Sequence, residues 1–111
     1  MATIPWTIDE IKVGVLRATV QLDSGDTSDA LSICEYSDKT VHISGGTVSI
    51  LGNNGIGTNQ TLHRVNDPTL TFTNVAAELL AAIVENPMVL IASASAGSNV
   101  DVVIIARNQK D

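Results

Sequence analysis

The sequence predicts an all-β chain, an antiparallel β-sandwich of jelly-roll or immunoglobulin-like form carrying one short helix. Three observations predict it: short β-branched runs alternate with polar residues, glycine- and asparagine-rich turn signals interrupt them, and one segment alone carries a helical repeat. The 111 residues suffice for one domain with one real core. We divide them into an N-terminal arm, residues 1–10, and a single sandwich domain, residues 11–111.

The arm is expected because Ile4, Pro5, Trp6 and Ile8 give the first residues high apolar density but too little periodicity for a strand or helix of their own. Disordered tails seldom carry such density. Ile4, Trp6 and Ile8 are therefore candidates for contact with a partner surface. Across residues 11–22, IKVGVLRATVQL, the apolar set changes parity between Val15 and Leu16, which predicts a break or bulge at residues 14–16. Residues 23–28 are polar and turn-rich. Residues 39–44 alternate with Val41 and Ile43 inward, Gly45 and Gly46 suit a hairpin turn, and residues 47–51 resume with Val48 and Ile50 inward.

Residues 52–59, GNNGIGTN, read as a loop, followed by a short strand at 60–65, a turn at Asp67-Pro68 and a short strand at 70–72. A helix is expected over residues 75–85, from Val75 to Glu85. Thr73 or Asn74 would cap it, Ala76, Leu79, Leu80 and Ile83 would form its apolar face, and Asn86-Pro87 would end it. Residues 88–95 are apolar and then small, 96–99 form a turn, and 100–106 form a closing strand. On that strand Val100, Val102 and Ile104 face one way and Val103 and Ile105 the other, so both faces need cover. Val103 and Ile105 are candidates for contact between subunits.

Hydrophobic residues make up 44% of the chain, yet Trp6, Tyr36 and Phe72 are its only aromatics, and the charged fraction of 16% is low. Serine, threonine, asparagine and glycine must cover the surface. A net charge of −6 with no basic stripe argues against nucleic acid and against an anionic membrane as partners. Weak charge with a large apolar share favours self-assembly, a homo-oligomer with a trimer first and a dimer second. Cys34 is the only cysteine, which excludes an intrachain disulfide. No basic and apolar leader opens the chain, and its longest apolar run, residues 79–84, is far too short to span a bilayer.

The titratable residues do not converge on an active site. His42 and His63 each alternate with apolar neighbours and lack a second ligand at motif spacing, so solvent-facing strand histidines are expected. Cys34, flanked by Ile33 and Glu35, has nothing to activate it and reads as a passive thiol. Asp23, Asp26 and Asp29 recur through a small-residue loop that could offer oxygens to Ca²⁺, but the pattern is not an EF-hand and a solvated acidic loop explains it better. The glycine loop at 52–57 lacks the lysine and hydroxyl ending of a phosphate-binding loop. Glu78 and Glu85 fall seven apart on one face of the expected helix and read as its solvated edge. We therefore expect no enzyme, no catalytic or metal residues and no cofactor.

Four strings in fixed order carry a family resemblance: YSDKTVHISGGTVSILGNNG at 36–55, DPTLTFT at 67–73, IVENP at 83–87 and DVVIIAR at 101–107, preceded by Trp6 and Gly25-Asp26-Thr27. Together they resemble a family of small tailed-phage head proteins, the capsid decoration or cement proteins, over most of the chain. The chain departs from that pattern at Thr58-Asn59-Gln60, where a tryptophan is usual, and at residues 88–92, which lack an aromatic and an arginine. The resemblance implies a structural virion protein on the exterior of a bacteriophage capsid, made in the host cytoplasm, whose partner is the major capsid protein. The alternative is a ligand- or carbohydrate-binding β-sandwich module of a phage structural protein.

Overall fold

The computed structural model describes residues 2–33, 35–65, 69–85 and 87–108. Its strands in chain order are β1 (Thr3–Ile4), β2 (Thr7–Lys12), β3 (Val15–Leu22), β4 (Thr27–Ser28), β5 (Leu31–Ser32), β6 (Asp38–Asn53), β7 (Gln60–Thr61), β8 (Val75–Ala76), β9 (Leu79–Ile83) and β10 (Val89–Arg107). Two long strands organise everything else. β6 and β10 pair antiparallel from Asn53↔Val89 to Asp38↔Arg107, with register shifts between Ala94 and Ala96 and between Gly97 and Asp101.

The shifts divide the ladder into two halves. In one, β9 flanks the start of β6 while β3 and then β2 flank the end of β10. In the other, β7 and β8 flank the end of β6, while β5 and β4 flank the start of β10 and β1 lies parallel beside β4. Residues from both halves share one core: Ala18, Val41, Ile43, Val102 and Ile104 from the first, Val48, Ile50, Leu90 and Ala92 from the second. This is a β-sandwich whose two central strands run through both layers.

Glycine makes that crossing possible. Along β6 the buried positions are Lys39, Val41 and Ile43 before Gly45-Gly46 and Val48, Ile50 and Gly52 after it, so the inward parity switches at the pair. A Cβ on Gly46 would sit 2.3 Å from the Ala96 carbonyl oxygen and 2.5 Å from Val100 Cγ2. Only a residue without a side chain lets the two backbones meet there.

Four expectations are corrected. Gly45-Gly46 is a corner within one strand, not the turn of a hairpin, because both flanking segments pair with β10 rather than with each other. Residues 96–99 are likewise the corresponding irregularity inside β10, not a turn between strands. No helix exists among the described residues: 75–85 holds β8 and β9 instead. There Leu79, Ala81 and Ile83 pack toward the core beside Ile43, Val41 and Lys39, while Leu80 faces out. Long-range pairing overrides the helix propensity of leucine and alanine. Fourth, residues 3–12 contain β1 and β2 and are joined to the sheet. The expected break near Gly14 is a real turn between β2 and β3, with Gly14 at φ 81°.

Candidate functional site

The three residues expected on an arm part company. Ile4 and Trp6 pack against the chain's own core, and the Trp6 indole Nε1–H donates to the Asp29 carbonyl at 2.8 Å. Backbone hydrogen bonds from Thr27 to Ala2 and from Asp29 to Ile4 hold this end in place. The expectation that these residues have no strand of their own is therefore corrected: short strands form because β4 supplies the ladder that period alone does not reveal. Ile8 is different, 53% exposed on β2, where Ile11 is 56% exposed, and Val13 in the turn after β2 is 93% exposed. β2 ends its sheet and pairs only with β3 among the described residues. Asp9, Glu10 and Lys12 and the irregular register between Glu10 and Lys12 discourage indiscriminate strand addition along that open edge.

Val103 and Ile105 lie half-buried on the outer face of the first layer, opposite His42 and Thr40 of β6 and Thr19 and Arg17 of β3. Leu80, across from His42 and 68% exposed, is the most open aliphatic of that face. The face thus mixes aliphatic, threonine and charged side chains.

Each histidine has a glutamate. His42 Nε2 lies 3.5 Å from Glu78 Oε1, and Ser44 Oγ donates to Glu78 Oε2 at 2.7 Å. The His63 backbone N–H donates to Glu85 Oε1 at 2.7 Å, and its ring Nδ1 meets Glu85 Oε2. His42 faces solvent from a strand, as expected, and His63 is partly exposed just beyond β7, whereas the shared helix face expected for Glu78 and Glu85 is corrected. β9 runs between the two glutamates and brings each to a different histidine. Burial raises the Glu85 pKa, but the hydrogen bonds from His63 outweigh it and hold the carboxyl below its ordinary value.

Beside this pair lies Lys39, only 1% exposed, whose Nζ donates to the Tyr36 carbonyl at 3.2 Å. Burial lowers its pKa, against the opposing pull of Asp38 and Glu85. Arg64 stacks its guanidinium 5.6 Å from the centre of the Phe72 ring, and its buried Nε has no acceptor among the described residues.

Glu85 also borders an open cleft of about 620 Å³, lined by Asn53, Asn54, Ile56, Thr58, Gln60, Leu62 and Pro87 as well as by loop glycines. The loop is tied down. Asn53 Oδ1 accepts from the Gly55 N–H at 2.8 Å, and Asn54 Oδ1 accepts from the Met88 N–H at 2.9 Å. Gly52 lies flush beneath Pro87, whose Cγ would stand 2.6 Å from an added Cβ. Sequence reading placed this loop but not the wall opposite it, which comes from residues about thirty positions later in the chain.

The aspartate loop is structural. Asp26 accepts from the N–H groups of Ala2 and Asp23, at 3.0 and 3.1 Å, and Asp23 accepts from that of Asn99 at 2.9 Å. No group of three or more metal-ligating side chains occurs among the described residues. Cys34, Asp67, Pro68 and Asn86 lie outside the described residues.

No protein-family model matches the chain, and no curated protein is similar in sequence. Solved structures do match in fold. The SPBc2 prophage-derived protein YomS superposes with a TM-score of 0.59 at 10% identity, covering 88% of this chain and 98% of that one. A Klebsiella pneumoniae protein with a double-stranded β-helix domain gives 0.55 at 14% identity, covering 94% of this chain and 72% of its own. A cupin-family protein of Methanocaldococcus jannaschii gives 0.55 at 9% identity, covering 93% and 80%. The chain thus has a double-stranded β-helix fold, the jelly-roll-like form of the expected sandwich. At these identities the likeness fixes the fold and leaves activity open.

Proposed function

We propose that this chain is a decoration protein of a tailed-phage head, bound to the major capsid protein on the capsid exterior. The observation that carries the reading is the exposed Ile8 and Ile11 on an open edge strand, with the exposed Val13 in the turn that follows it. Aliphatic surface grouped on one edge is the signature of a surface that meets a partner. The ordered sequence resemblance supports the identity of that partner, and the fold shared with a prophage-derived protein supports the phage origin. The protein assembles as a homo-oligomer, first a trimer, since three-fold positions of an icosahedral shell match a trimer's symmetry. Val103, Ile105 and Leu80 supply the subunit contact.

The test is sedimentation of the purified protein with phage heads that lack it. Saturable binding to heads, abolished or weakened about tenfold by Ile8→Ser, is expected from the loss of roughly half an isoleucine's burial. Absence of the chain from purified virions by mass spectrometry, with no binding to undecorated heads, would overturn the reading.

A further inference from the structure

We propose that the cleft between the 52–58 loop and the side chains of Glu85 and Pro87 is a binding site for a neutral saccharide, independent of the β2 edge. Its volume of about 620 Å³ is that of a small-molecule site. The chemistry of its lining narrows the class. No lysine or arginine lines it, and the carboxylate it does contain is held ionised by His63, so phosphates, sulfates and carboxylates meet repulsion with nothing to offset it. A single carboxylate cannot supply the six to eight oxygens a calcium ion takes.

What remains suits a ring that is apolar on its faces and hydroxylated at its edge. Ile56, 80% exposed, offers aliphatic surface to C–H groups, above a floor to which the buried Leu62 and Pro87 belong. The polar groups around them are only partly used. Asn54 spends its carbonyl oxygen on the Met88 N–H, leaving its amide N–H groups as donors; Gln60 uses its amide nitrogen on Thr58, leaving its carbonyl oxygen as an acceptor. Both Glu85 oxygens are fixed by His63 yet keep lone pairs. A carboxylate held in this way accepts from two adjacent hydroxyls, which a vicinal diol presents and a monohydric alcohol does not. Loop order adds to the case. The Asn53 and Asn54 side-chain bonds shape the loop before any ligand arrives, which reduces the entropy lost on binding.

Amide-resolved NMR titration of the whole chain with maltotriose, cellotriose and N,N′-diacetylchitobiose tests this, with glucose 6-phosphate as the anionic control. At least one neutral probe should give saturable shifts at millimolar concentration, confined to residues 52–62 and 85–88. Gln60→Ala alters an exposed side chain and should weaken that probe about five-fold while leaving the spectrum folded. Glu85→Gln should weaken it further, and glucose 6-phosphate should give no saturable shift. No saturable shift with any neutral probe, equal response to glucose 6-phosphate, or an unchanged affinity in Gln60→Ala would overturn the proposal. Head binding by the same variants separates the two readings: cleft substitutions leave it intact, and Ile8→Ser leaves the titration intact.

Discussion

Replacing Trp6 by alanine should destabilise the isolated protein, which separates an anchored N-terminal segment from a free arm. Truncating a fully buried tryptophan costs about 3–5 kcal/mol. Trp6 is half-buried, so about half of that applies, and losing the indole donor to the Asp29 carbonyl adds about 1 kcal/mol. The sum is about 3 kcal/mol. For a domain near this size each kcal/mol lowers the midpoint by about 4 °C or more, giving a fall of roughly 12 °C in a thermal melt followed by circular dichroism. Trp6→Phe keeps a ring against the core and removes the donor, so it should show about a third of the loss. Ile8→Ser, on the exposed edge, should stay within about 0.5 kcal/mol of the parent. As the only tryptophan, Trp6 also reports on itself: its fluorescence should resist iodide quenching in the free protein. A Trp6→Ala midpoint within about 2 °C of the parent, or free quenching of Trp6, would refute the packing and restore the arm.

Other outcomes follow from the corner and from the buried charges. Gly46→Ala forces a Cβ to 2.3 Å from a backbone oxygen that cannot yield, so a loss above about 3 kcal/mol is expected in urea unfolding. Gly25→Ala, at φ +92° with nothing within 4 Å, should lose only about 1–2 kcal/mol for its backbone conformation. Because the folded state holds Glu85 below its ordinary value of 4.5, its contribution is full above that pH and is lost as pH falls through the lower folded value. Melts over this acid range should therefore fall more gently in Glu85→Gln. Lys39 gives the opposite limb. Its folded pKa lies below 10.5, so the unfolded chain binds more protons between the two values and stability rises with pH across that window, a rise that Lys39→Met should remove.

Much of the core was legible because strand parity depends on neighbours two residues away. Alternation alone puts Val41, Ile43, Val48 and Ile50 inward and sets Val100, Val102 and Ile104 together on one face, and all seven are fully buried. The corner was not legible for the same local reason. A glycine pair between two alternating runs looks identical whether the chain reverses on itself or bends while paired to a strand fifty residues away, and Gly46 does the latter opposite Gly97. Residues 75–85 posed a related ambiguity. Leu79 and Ile83 belong both to the helical set with Ala76 and Leu80 and to the alternating set with Ala81, so the pattern had two solutions and β6 chose between them.

The same choice explains why the polar clusters were missed although every member was visible. Read on a helix, Glu78 and Glu85 share a face and neither has a reason to meet a histidine. Read at period two, a separation of seven puts them on opposite sides of an extended chain. The antiparallel register that sets Leu80 against His42 then carries Glu78 to His42 and Ser44, while the far end of the same strand delivers Glu85 to His63 and to the cleft. One strand thus determines both the electrostatics around Lys39 and the polar wall of the cleft. The exposed edge at Ile8 depends on a different pairing, β2 with β3, and shares no residue with that wall. Two surfaces built from separate ladders can be altered one at a time, which is why head attachment and saccharide binding are separable by single substitutions.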